Sequence, residues 1–196
     1  SSDYASVMAP TLGPTVAASP AFVRVGGLVE AQPLSILHLW AAFEGVQWFG
    51  TAGHLQSLAT AAEAHDDDTL KLRRDLPETD PKAPHAVAGT VASAGGPLQV
   101  KVGPIAARLL GKWMRFDLDL PQGRTWAYDP TFDVLAPRVG VMRTLDADLL
   151  WQSADRGRTV GLRASQGTSH ADLACATTDP ACDLTPPDPI LRAGPL

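Results

Sequence analysis

From Trp113 to Leu120 the chain alternates without a break: Met114, Phe116, Leu118 and Leu120 on one side, Trp113, Arg115, Asp117 and Asp119 on the other. Successive side chains of a strand point to opposite faces, so this stretch is a strand with an apolar core face and a polar face. Leu98, Val100 and Val102 alternate with Gln99 and Lys101 in the same way, which predicts a second half-buried strand with its apolar set turned to the core.

Elsewhere the punctuation is glycine and proline. Phe22–Val25 reads as a short strand ended by Gly26 and Gly27, and Leu28–Gln32 as extended chain up to Pro33. Leu34–Phe49 is the most apolar stretch, and Gly45 in its middle favours two strands with a turn over one helix. Asp148–Ser153 and Arg158–Ala164 flank Ala154–Gly157, whose Asp-x-Gly centre suits a β-hairpin. Helices are expected in two places. Leu55, Leu58, Ala59 and Ala62 recur at helical spacing within Thr51–Ala64, and Pro104–Lys112 has Gly111 near a C-terminal cap. His65–Pro84 is dense in charge and proline and reads as an irregular surface excursion.

Short strands, Gly/Pro turns and few helices predict a mainly β chain, a β-sandwich or jelly-roll-like barrel with one or two short helices. The globular body is expected at 21–172, between Pro-rich extended arms at 1–20 and 173–196. Such ends bury too little to offset about 1–2 kcal/mol of backbone entropy per fixed residue. They are therefore expected to lie along the body or a neighbouring chain, with little helix or strand. Ser1 in place of a Met is read as the mark of a processed product or an excised piece.

The formal charge is −5 and no Lys/Arg cluster exceeds Lys71, Arg73 and Arg74, which excludes a phosphate-coating role, so no nucleic-acid partner is expected. Charged residues make up 19 % of the chain against ~25 % in an average protein, a composition that suits a surface covered by partners and equally a GC-rich genome that favours Ala, Gly and Pro. The longest near-apolar run, Pro33–Phe43, is interrupted by Ser35 and His38 and is too short for a membrane helix, so no membrane partner is expected. No signal peptide is visible. Cys175 and Cys182 enclose six residues and are either a disulfide or two free thiols.

The candidate chemistry is thin. Gly50–His54 resembles the histidine segment of chymotrypsin-like serine proteases and Ser93–Leu98 their nucleophile loop. Ala94, however, stands where the nucleophile belongs, and the short chain between the two segments cannot hold the barrels of that family. Asp117 and Asp119 share a strand face and could chelate a divalent ion, though a solvent face that also carries Arg115 explains them as well. His65–Asp68 fits an acidic surface loop, and His38 a hydrogen-bonded core histidine. His85 and His170 have no companion spacing.

Of the tryptophans, Trp113 and Trp126, the latter near Tyr128, are the interface candidates, since aromatic residues concentrate at the energetic centres of interfaces. The expected function is thus non-catalytic: a structural assembly protein such as a viral capsid or capsid-decorating subunit, located in the virion. It would contact other protein subunits, the same or different, within a larger assembly, without cofactor or metal. The alternative is an enzyme or ligand-binding β-domain whose site gathers Asp117, Asp119, His54 and Trp113.

Overall fold

The computed structural model describes residues 9–49, 57–63, 66–77, 80, 82–129, 134–153 and 158–195. The chain is mainly β, as expected. A large sheet is formed by β1 (Thr11–Ala18), β2 (Phe22–Leu34), β3 (Leu37–Trp48), β5 (Val87–Val102), β6 (Ile105–Leu118), β9 (Val139–Gln152), β10 (Thr159–Ala171) and β11 (Ile190–Pro195). A small sheet is formed by β4 (Ser57–Leu58), β7 (Trp126–Asp129) and β8 (Val134–Pro137). The eight strands of the large sheet lie in chain order, every neighbour antiparallel. That order is a meander, without the crossing connection that a jelly roll requires.

The two ends of the sheet differ. At one, the turn end, β2 passes to β3 through Ser35 and Ile36, and β5 to β6 through Gly103 and Pro104. Gly103 has φ +57°, a conformation that favours glycine. The β9–β10 connection lies at the same end, where Ser153 N bonds Arg158 O at 2.9 Å, in keeping with the expected hairpin. At the other, the loop end, β3, β6 and β10 leave the sheet for long excursions. These carry the small sheet, α1 (Asp67–Arg74) and α2 (Leu173–Thr178).

The small sheet covers the inner face of the large one at the loop end. There Met114, Phe116 and Leu118 of β6 pack with Val91, Met142, Val134 and Ala136, all buried. The clearest strand of the sequence thus points its apolar face to the core, with Arg115, Asp117 and Asp119 exposed. Leu58, Trp126 and Leu135 form a second cluster.

Several expectations are corrected. β3 runs unbroken through Gly45, because it pairs along its length with both β2 and β5. β2 likewise continues through Gly26 and Gly27, where a side chain at Gly26 would run into the Phe43 carbonyl oxygen. Pro104–Lys112 is not a helix but the turn and first half of β6, since pairing on both sides overrides local helix preference. Of the expected helix Thr51–Ala64, residues 51–56 and 64 lie outside the described residues, and Ser57–Leu58 is strand.

The charged excursion contains α1, capped by Asp66, whose Oδ1 accepts from the backbone N of Asp68 and Thr69 at 3.2 and 3.0 Å. The terminal stretches are not free of regular structure. Thr11–Ala18 and Ile190–Pro195 are the two edge strands of the large sheet, and Leu173–Thr178 is a short helix.

Candidate functional site

One row of register partners crosses the whole large sheet: Thr11, Glu30, Trp40, Gly95, Lys112, Thr144, Gly167 and Ile190. These residues face inward, the side the small sheet covers at its loop end. The next row, through Leu12, Val29, Ala41, Ala94 and Trp113, faces outward. This alternation assigns a face to every strand position.

The outer face is apolar, and among the described residues nothing covers it. Leu98, Val100 and Val102 lie on it, 46 %, 51 % and 73 % exposed, which corrects the expectation that they face the core. The alternation is real but reversed in sense: Gln99 and Lys101 share the inner side. Ile105 and Leu109 of β6, Leu149 and Trp151 of β9, and Leu162 of β10 continue the exposed set. No charged side chain stands on the outer face of β1, β2, β3, β5 or β11. On the remaining strands the outward charges Arg115, Asp117 and Arg143 all lie toward the loop end of Trp113 or level with it. A soluble monomer rarely exposes an apolar patch beyond a few hundred Å²; here the patch spans all eight strands.

The inner face carries the charge. Asp148, nearly buried, accepts from Arg163 Nε at 2.6 Å and Nη2 at 3.1 Å, and from Arg108 Nε at 2.8 Å. Hydrogen bonds from Arg163 hold its carboxyl below the usual range; burial opposes this and Arg108 adds to it. Further along, His38 Nε2 meets Glu30 Oε2 at 3.1 Å, and Lys101 Nζ donates to Gln152 Oε1 at 2.8 Å. Lys112 lies 5.5 Å from the Trp40 ring centroid. Burial, and next the charge of Arg24, pull the Lys112 ammonium below its ordinary value. Beside it a cavity of about 320 Å³ is lined by Thr144, Asp146, Ser165 and Arg192 among others.

The expected site residues are scattered. Trp113 is on the outer face, 37 % exposed. Trp126 is fully buried within its own chain and packs on Leu58 and Leu135, so it offers no surface to a partner; Tyr128 packs beside that cluster. Asp117 and Asp119 are exposed. His54 lies outside the described residues. Among the described residues no group of three or more His, Cys, Asp or Glu is placed to hold a metal ion.

Cys175 and Cys182 are joined in a disulfide. The bonded segment is tied down by Asp179, whose Oδ2 accepts from Gly123 N at 2.6 Å and Arg138 Nη1 at 3.0 Å. The bond from Gly123 leads the causes that lower its carboxyl pKa. The residues that reasoning from sequence missed are Arg108, Asp148 and Arg163. Their only signal is a charge at the alternate position of an otherwise apolar strand.

No protein-family model matches this chain, and no curated protein or solved structure matches it either.

Proposed function

We propose that the large sheet is the wall of a membrane-spanning β-barrel, with its outer face against lipid. The observation that carries this reading is the inversion of polarity across one sheet: apolar residues bare on the outside, ion pairs on the inside. Transmembrane barrels alternate in this way. In β6 the outer apolar stretch Ile105–Trp113 has the length of a tilted membrane strand, about 9–11 residues. It would rise roughly 20 Å at a tilt of 35–45°.

Tryptophans border the stretch, Trp151 at the turn end and Trp113 toward the loop end, where interfacial aromatics sit in such walls. Tight turns at one end and, apart from the short β1–β2 turn, long excursions at the other complete the likeness. The disulfide suits a loop end held in an oxidising compartment.

The expectation of no membrane counted continuous apolar runs, the measure for a helix. No helix among the described residues is long and apolar enough to cross a membrane, but strands cross by alternation.

The test is depth-dependent quenching of tryptophan fluorescence in single-Trp variants of the full chain, refolded with vesicles of brominated phosphatidylcholine. Trp113 and Trp151 should be quenched, while Trp48 and Trp126, both buried inside, should not. A chain that stays monodisperse without detergent and shows no quenching would overturn the reading.

The second reading is the assembly subunit, such as a capsid component with a sandwich-like pair of sheets, whose outer face meets protein instead of lipid. The two edge strands β1 and β11, each paired on one side only among the described residues, favour it. It requires an ordered oligomer in water. On either reading the chain works through its surfaces, and no catalytic step is proposed.

A further inference from the structure

If the outer face lies in lipid, the edges of the sheet cannot stay bare, because unpaired backbone N–H and C=O groups have no water to bond there. β1 and β11 must therefore pair with something. We infer that β11 closes on β1 of the same chain, with Ala193 beside Val16, to make an eight-stranded tube filled by its own side chains. This rests on the membrane reading and identifies what completes the wall.

The register supports it. The row that starts at Thr11, the first residue of β1, ends at Ile190, the first residue of β11. β1 extends from that row toward the loop end and β11 from it toward the turn end. The strands thus slide steadily past one another across the sheet. The outer apolar set of β9, Leu145–Trp151, lies on the turn side of the row, whereas that of β2, Val23–Leu34, spans both sides of it.

Eight strands about 4.8 Å apart and tilted 35–45° close with a slide of about eight to twelve residues. Only an even slide keeps the outer side chains outside. With a slide of about eight, Leu191–Pro195 falls beside Pro14–Ala18. The two edge strands run antiparallel, as that join requires.

Two observations favour the chain's own edge over a second copy's. Phe22 of β2 and Ile190 of β11, on strands near opposite edges of the sheet, both pack against the one main core cluster, so the sheet curves around it. Thr15 Oγ1, on the inner side of edge strand β1, is shielded from solvent. Eight closed strands leave an interior just wide enough for side chains, and the small sheet and its core stopper the loop end. The tube therefore passes no solute. It anchors and presents the loop end.

The experiment places cysteines at the predicted join, Val16→Cys with Ala193→Cys, in the full chain refolded in lipid vesicles and oxidised. The expected result is a monomer on a non-reducing gel, with both new thiols consumed and a peptide linking 16 to 193 in the digest. A covalent dimer would show that a second copy supplies the edge, and persisting free thiols that the edges stay apart; either overturns the closure. Should the double variant not refold, the protein mass of the unmodified chain in detergent decides, a monomer supporting closure and a dimer overturning it. Brominated-lipid quenching of the unmodified chain separates the two failures. Quenching without the cross-link refutes closure alone, whereas no quenching refutes the membrane reading and closure with it.

Discussion

Arg163 and Asp148 are register partners on adjacent strands, and the guanidinium meets the carboxylate through two hydrogen bonds, 2.6 and 3.1 Å long. Arg108, the partner of Asp148 on its other side, adds a third bond at 2.8 Å. One carboxylate thus links β6, β9 and β10 from the inside.

Removing it should be felt. Asp148→Ala leaves two guanidiniums facing each other, and both are partly exposed, which softens the loss. A cost of about 1–3 kcal/mol is expected in denaturant unfolding, below the value for a fully buried pair. Because the folded-state pKa of Asp148 is depressed, its contribution is present above the ordinary carboxylate pKa of about 3.9 and fades as pH falls through the folded value. Wild type should lose stability over that acid range, and Asp148→Asn should lose less of it.

Outer-face charges should separate lipid from water as the neighbour of the sheet. Leu149→Arg places a cation in the middle of the apolar stretch of β9. Against lipid this should cost about 2–4 kcal/mol and reduce refolding into vesicles. A protein surface exposed to water would absorb the change within about 0.5 kcal/mol.

On β6 the two faces should respond oppositely. Phe116 is 1 % exposed within the main core, so Phe116→Ala should cost about 3–5 kcal/mol in equilibrium unfolding. Asp117→Asn, one residue along on the exposed face, should leave the midpoint within about 0.5 kcal/mol. A large loss at Asp117 would point to a bound ion or partner.

Reduction of the Cys175–Cys182 disulfide should act locally. Its short loop implies about 2–3 kcal/mol from loop closure, and the segment it closes holds Asp179 against Gly123 and Arg138. Hydrogen exchange should quicken at Gly123 and Ala181, whose amides bond Asp179, with β5 and β6 unchanged.

Much of the strand content was legible because alternation is a local signal, and Trp113–Leu120 displays it in full. What could not be read was which side of a strand is the inside. Leu98, Val100 and Val102 carry the pattern of a core face, yet among the described residues the cover for the sheet is at its loop end, over Met114 and Phe116. Nothing within a strand says where a second layer stops. β6 hid for another reason: Pro104, the alanines and Gly111 satisfy the local rules for a capped helix, and only pairing with Gly89–Val102 and Val139–Trp151 decides otherwise. The Arg108–Asp148–Arg163 cluster is set by register alone, which spacing along the chain does not encode.

The unequal ends of the sheet also give insertion a direction. On the membrane reading, the connections that must pass through the hydrocarbon are those of the turn end: Ser35 with Ile36, Gly103 with Pro104, and the β9–β10 hairpin. The first two carry no charge, so little is dehydrated on the way. The opposite end bears α1, the small sheet and a cross-linked segment anchored by a nearly buried carboxylate. Such a folded mass is too polar to cross. The chain would enter hairpin tips first, and the loop end would remain on the side from which it arrived.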